Sequence, residues 1–318
     1  MIKYPLLLKP AYKDYLWGGT KLKAVWGKAD GPDKIAEAWE LSLRIGSLSY
    51  IENGKYASYS LLGLLELAPD FAGLKCKAFD KFPMLIKFID SKEKLSVQVH
   101  PGDAYASEHE KSYGKSEVWY ILDAEQGAGI YLGFQNGLTE DEYRKHIAGN
   151  TLPEALNFIE VKPGDIFMIE AGTVHAIGAG MTVCEIQQNS DLTYRVYDYC
   201  RKDADGNTRE LKIDKAVAVS NTAASRPVST AYPFVEYGGY KKRLVADNKY
   251  FVAEHYVINS GCDLHNAECF TALTVIGGGF YITGNGITVS ADKGRTVFLP
   301  AGLAVNIQGR GELLASSL

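Results

Sequence analysis

The chain has no cysteine pattern that could staple it. Its five cysteines, Cys76, Cys184, Cys200, Cys262 and Cys269, are odd in number and contain no CxxC pair. This excludes a zinc ribbon or a disulfide scaffold and leaves buried or partly buried free thiols in a reducing compartment as the expectation. Long apolar runs are missing too. The opening MIKYPLLLKP offers only Leu6, Leu7 and Leu8 between two prolines. That is too short for a signal peptide, and nothing elsewhere reaches the roughly 18 residues of a membrane-spanning helix. A cytoplasmic protein with no membrane partner is expected. Charge bias is weak: 34 Lys+Arg face 38 Asp+Glu, for a net charge of −4. Such a balance gives no bulk electrostatic drive toward nucleic acid. No P-loop or GxGxxG segment occurs, so use of a nucleotide cofactor is not expected.

What the chain does have is 318 residues, enough for about two domains, with 32 glycines and 20 tyrosines but only 4 methionines. Many glycines and aromatics favour short strands and tight turns over a helical bundle. Helical spacing is confined to Ser58–Leu67 and to Gly137–Phe158. In the second stretch Thr139 followed by Glu142 predicts a capping box, and Pro153 a fresh start. From Tyr240 onward only strand patterns remain, such as Phe251–Ile258, Thr296–Leu299 and Ala304–Ile307.

An internal echo organises the chain. Gly164–Ile177 reads GDIFMIEAGTVHAI, and Gly294–Ile307 reads GRTVFLPAGLAVNI. Aligned on their leading glycines, each copy gives a strand, an Ala-Gly turn and a second strand. The turn is expected to join two antiparallel strands lining a small barrel. His175 of the first copy falls in the column that holds Val305 in the second. The pattern resembles the second motif of the cupin superfamily, which delivers a metal-ligand histidine into a jelly roll. The expected fold is therefore mostly β: two cupin-like jelly-roll barrels, with a few helices inserted in the first. Residues 1–230 would form the metal-binding domain, and residues 231–318 a second cupin-like domain without metal ligands.

Partners for His175 are sought on earlier strands. In LSVQVHP, Ser96, Gln98 and His100 share one face while Leu95, Val97 and Val99 share the other. Glu117 heads the apolar run SEVWYIL, where an ionised carboxylate facing inward needs a cation. Gln98, His100, Glu117 and His175 together suit a borderline divalent ion such as Zn²⁺, although manganese, iron or cobalt would also accept them. His109, in the polar stretch after Asp103, and His146, His255 and His265 are read as structural or solvated.

Several longer segments carry a more specific likeness. They are LSVQVHPGDAYA, Lys115-Ser116-Glu117, AGTVHAIGAG and EIQQNSDLTYRVYDY, with LWGG at residues 16–19, EAWELS at 37–42 and FPMLIK at 82–87. Together they resemble the type I mannose-6-phosphate isomerases, in the short bacterial form without a large helical insertion. The likeness runs by motif from residue 4 to residue 210, and by architecture beyond.

The resemblance implies interconversion of mannose 6-phosphate and fructose 6-phosphate through a cis-enediolate, with one Zn²⁺ per chain. It implies Gln98, His100, Glu117 and His175 as metal ligands and Arg195 as a catalytic arginine. Glu185 and Asp191 match acidic neighbours of the family site; Glu185, a metal-bound water and His100 are the candidates for the proton-transferring base. Ser96 and Lys115 match positions near the substrate, and Arg201 a basic residue assigned to the phosphate. Ile177 departs from the tyrosine of the eukaryotic branch. An oxygen-activating metal cupin and a non-catalytic sugar-binding cupin are the alternatives. The oligomeric state, monomer or homodimer, is left open.

Overall fold

The computed structural model describes residues 1–202 and 205–318. The chain forms two compact units. One comprises Met1–Lys13, Thr20–Phe88 and Tyr232–Leu318; the other comprises Asp14–Gly19 and Ile89–Ala231. This departs from the division expected at residue 230. The reason lies in the strand Leu6–Lys9, which pairs antiparallel with Thr296–Leu299, Leu6 facing Phe298. An early strand thereby joins the sheet of the carboxyl-terminal strands, because that edge needed a hydrogen-bonding partner.

In the first unit, two 14-residue strands, Thr271–Gly284 and Ala304–Ser317, lie side by side in a ten-stranded sheet. Their register slips between Val275 and Gly277, a bulge that bends both strands. Gly278, just past the slip, has φ +71°, and a Cβ there would lie 2.0 Å from the Arg310 carbonyl oxygen. Only glycine can take that conformation so close to another backbone. The bent sheet encloses a core of Leu273, Val275, Phe280, Ile282, Val297, Val305, Ile307 and Leu313.

The second unit contains a five-stranded sheet in the order Tyr194–Tyr197, Val97–Val99, His175–Ile177, Gly129–Phe134, Leu156–Glu160. A second ladder pairs Glu117–Ala124 with both Ile166–Ile169 and Met181–Gln188. The expected β class holds. The hydrogen-bonded paths are open-ended rather than closed barrels, which is consistent with a jelly roll. Val97, Val99, Phe134, Tyr194 and Val196 form a core with Tyr143 and Ile147 of the helix Glu140–Ala148 and Ala216 of the helix Ile213–Val219.

The sequence echo is a backbone echo. Gly164 and Gly294 both have φ 90°, and Gly172 and Gly302 have φ 90° and 77°. The turn does not close a hairpin, however. Ile166–Ile169 belongs to the Glu117–Ala124 ladder, whereas His175–Ile177 pairs with Val97–Val99 and Gly129–Phe134. In the second copy the strands before and after the turn, Thr296–Leu299 and Ala304–Ser317, both pair with Thr271–Gly284, and Ala304–Ser317 adds Gly261–His265 as a further neighbour.

The capping box is present, with Thr139 Oγ1 accepting from the Glu142 amide at 3.3 Å and Glu142 accepting from the Thr139 amide at 2.8 Å. The helical pattern expected to reach Phe158 stops earlier: Leu152–Ala155 is one turn, and Leu156–Glu160 is a strand paired with Gly129–Phe134. Burial of Leu156 opposite Phe134 overrides the local helical spacing. His109, expected in a loop, lies on the helix Asp103–Glu110, whose single buried residue, Ala106, leaves no apolar period to read.

Candidate active site

Val97–Val99 alternates as expected: Val97 and Val99 are buried in the helix-side core, and Gln98 points the other way. Gln98 lies opposite His175 on one neighbouring strand and opposite Arg195 on the other. The strand Val97–Val99 and its two neighbours thus gather three of the expected residues by register alone. His100 follows the strand, and Glu117 opens the ladder that leads into Trp119 and Ile121.

Two carbonyls orient the imidazoles. His100 Nδ1 donates to the Leu192 oxygen at 2.7 Å, and His175 Nδ1 donates to the Thr173 oxygen at 2.8 Å. A carbonyl only accepts, so each ring carries its second proton-free nitrogen, Nε2, on the side of the cluster. His175 Nε2 is 3.6 Å from Glu117 Oε1, and His100 Nε2 is 3.6 Å from Glu117 Oε2. One ligand atom from each of the three residues lies within 4.8 Å of the other two, and all three side chains are buried. Burial pushes His175 down to about 4, so it is neutral at pH 7, the form a metal ligand requires.

The chemistry of this donor set fits a divalent cation: two imidazole nitrogens and a carboxylate, all buried and brought together. A cationic group already answers the demand. The Lys115 ammonium donates to His100 Nε2 at 3.0 Å, is paired with Glu117, and lies 3.8 Å from Glu185 Oε1. Gln98 Nε2 is 3.5 Å from His175 Nε2. Turning its amide over would present the oxygen to the same point as a fourth donor.

Around this cluster the remaining residues fall into two groups. Glu185 accepts a hydrogen bond from Trp119 Nε1 at 3.1 Å and is buried beside Lys115. Arg195 Nε donates to Ser96 Oγ at 3.1 Å and its Nη1 to the Glu210 carbonyl at 3.1 Å. Burial, and then the like charges of Arg209 and Arg201, lower the Arg195 pKa, which leaves the guanidinium protonated near neutrality. Arg201 is turned to Asp198 at 2.5 Å and to the Lys94 carbonyl at 2.6 Å. Asp191 is exposed and stands next to Leu192, the residue that orients His100.

Two contributors were not read from the sequence. Arg209 Nη2 meets Asp198 Oδ1 at 2.5 Å, so one buried carboxylate holds two guanidiniums near Arg195. Burial raises the Asp198 pKa, but the hydrogen bonds from Arg209 and Arg201 outweigh it and hold the carboxyl below its usual range. Trp119 was read only as part of an apolar run. An indole N–H opposite Glu185 on the paired strand is visible only once the register is known.

Comparison with known proteins agrees with this geometry. Residues 6–127 match the family model for the phosphomannose isomerase type I catalytic domain, and residues 240–318 match that for the mannose-6-phosphate isomerase cupin domain. The chain is 35% identical over 320 residues to mannose-6-phosphate isomerase of Bacillus subtilis, covering 100% of both. It is 32% identical to the mannose-6-phosphate isomerase of Streptococcus mutans, covering 93% of this chain and 92% of the relative. The crystal structure of the Bacillus subtilis mannose 6-phosphate isomerase superposes with TM-score 0.91 at 32% identity, covering 99% of each chain. The chain belongs to the type I phosphomannose isomerase family.

Proposed function

We propose that the second unit interconverts mannose 6-phosphate and fructose 6-phosphate, with one Zn²⁺ held by His100, Glu117, His175 and Gln98. The observation that carries this reading is the pair of imidazoles locked through Nδ1, both presenting Nε2 to one buried carboxylate. When bound, the metal would polarise substrate oxygen and help hold the sugar in register. The chain's own residues supply the rest.

Moving the carbonyl between C1 and C2 requires a base for a carbon-bound proton and a partner for the negative charge of the cis-enediolate. Glu185 is the base in this reading. Trp119 fixes one of its oxygens, so the carboxylate is held rather than free to swing. Arg195 faces the developing charge, kept in line by Ser96 and the Glu210 carbonyl. Being permanently protonated, it stabilises an anion and cannot abstract a proton.

A cation held by His100, Glu117 and His175 would take the place of the Lys115 ammonium, which would then be available to the substrate. Arg201 and Arg209 present charge to the phosphate, since two guanidiniums and Arg195 against the single Asp198 leave a local excess of positive charge. Asp191 contributes at the exposed mouth. A diffusible sugar phosphate is the expected substrate of a cytoplasmic enzyme, and among the described residues no helix is long and apolar enough to cross a membrane.

The test is a coupled assay of mannose 6-phosphate conversion on purified protein, before and after chelation and after adding back zinc. Turnover that disappears on chelation and returns with zinc is expected. Absence of turnover in the zinc-loaded protein would remove the isomerase reading, and full turnover after chelation would remove the metal.

A further inference from the structure

Two of the five thiols meet across the first unit. Cys76 lies in the short 3-10 turn Lys75–Ala78, and Cys269 in the segment just before the strand Thr271–Gly284. Backbone contacts zip the two segments together. The Phe270 amide donates to the Ala72 carbonyl at 3.0 Å, the Lys75 amide donates to the Glu268 carbonyl at 3.2 Å, and Gly73 forms an antiparallel bridge with Cys269. A Cβ at Gly73 would stand 2.4 Å from the Glu268 oxygen, so the closeness depends on glycine.

Cys76 follows Lys75 and Cys269 follows Glu268, so the 3.2 Å bond between those two neighbours sets the thiols side by side at the end of this zipper. Cys269 is fully buried, whereas Cys76 is partly exposed. The neighbouring Cys269 thiol and burial raise the Cys76 pKa, whereas Cys76 lowers that of Cys269. Lys75, whose ammonium binds the Leu318 carbonyl at 2.8 Å, adds positive charge on the same side.

We propose that Cys76 and Cys269 form a redox-responsive dithiol that closes to an intramolecular disulfide when a small-molecule disulfide oxidises the protein. Cys76, the sulfur that solvent reaches, passes its proton to the neighbouring Cys269 and, as the thiolate, attacks one sulfur of the small disulfide and breaks its S–S bond. One small thiolate leaves and a mixed disulfide remains on Cys76. Cys269 then attacks the Cys76 sulfur, the mixed S–S bond breaks, and the second small thiolate leaves. Two protein thiols lose two electrons, and the two released thiols carry away both protons. A reducing compartment keeps the pair open and an oxidant load closes it. The crosslink joins positions 193 residues apart (269 minus 76), so it restricts the unfolded chain and stabilises the unit that holds it. This inference stands on the first unit alone and does not rest on the isomerase reading.

The test uses reduced, full-length protein treated with oxidised glutathione. Two of the five thiols should disappear, the mass should fall by two hydrogens, and peptide mapping should join residue 76 to residue 269. The melting temperature should rise by about 5 °C and return with dithiothreitol. Cys76→Ser should abolish all of these changes, while C200S should leave them intact. A lasting glutathione adduct on Cys76, five thiols after treatment, or a crosslink through another cysteine would each overturn the proposal. Because Cys76 is partly exposed, its serine variant folds independently of how well Cys269→Ser is tolerated.

Discussion

The turn at Gly164–Ile177 and the turn at Gly294–Ile307 share a backbone down to their left-handed glycines, yet one ends in His175 and the other in Val305. His175 is buried with its Nε2 facing a carboxylate. Val305 is 3% exposed and is packed with Tyr256, Leu273, Phe280 and Ile307. The same chain path serves a polar site in one unit and an apolar core in the other. The turn therefore supplies position, and the side chain in a single column supplies chemistry.

The two units also treat buried charge differently. In the first, Lys28 and Glu40 pair at 2.6 Å, both almost fully buried, with Thr296 Oγ1 donating to Glu40 at 3.1 Å. These charges are used up on one another. In the second, Glu117 faces two imidazoles and an ammonium, and in the proposed holoenzyme a divalent cation would take the place of the ammonium. Buried charge is architectural in one unit and available in the other.

The largest break in this comparison is His175→Ala. It should lower turnover by at least about 1000-fold and take bound zinc from near one per chain to near zero, read by atomic emission on dialysed protein. Glu40→Gln comes next. It leaves the Lys28 ammonium buried without its partner and should cost about 3 kcal/mol in urea unfolding, with metal content unchanged. If it instead stripped the metal, the contrast between architectural and available charge would fail.

Arg195→Ala should lower turnover about 100-fold, equivalent to about 2.7 kcal/mol, while zinc stays near one per chain. Loss of zinc in this variant would show that the arginine holds the site together rather than stabilising charge.

Asp198→Asn should destabilise by about 2 kcal/mol at pH 7, since it leaves Arg201 and Arg209 without their shared acceptor. The Asp198 pKa is depressed in the folded protein. Its stabilisation is therefore fully present above the ordinary carboxyl value of about 4 and is lost as pH falls through the folded value. The gap in melting temperature between wild type and variant should hold from pH 8 to pH 5 and close in stronger acid. A gap that widened on acidification would have the wrong sign for this assignment.

The smallest effect belongs to Val305→Ala, about 1–2 kcal/mol from the cavity it leaves, with turnover within twofold of wild type. Val305→His sharpens the same point. Among apolar neighbours it should destabilise the protein without adding a second zinc.

Much of this was legible before any coordinates. Thr139 and Glu142 are local partners three residues apart, so their capping box is written in the chain. The Gly-Ala-Gly frame of the two turns is equally local, because a left-handed φ selects glycine wherever it occurs. The candidate residues His100, Glu117 and His175 are marked partly by polar side chains on apolar strands and partly by family likeness, and the fold brings them together. What escaped was non-local. Arg209 carries no mark in TRELK and acquires a role only when Asp198 lies against it. Leu156–Glu160 has helical spacing but takes strand form, because Gly129–Phe134 offers it a ladder.

Composition, motif spacing and the repeated turn thus determined the β class, the family likeness and which residue types could hold a cation. They act through short-range sterics and through the cost of burying an unpaired polar group. Tertiary structure alone decided that Leu6–Lys9 would pair with Thr296–Leu299, that the first Ala-Gly turn would change ladder instead of closing a hairpin, and that the Cys76 and Cys269 segments would run side by side. Those outcomes depend on which distant edges and faces remain to be satisfied once the local elements have formed, and no window along the chain contains that information.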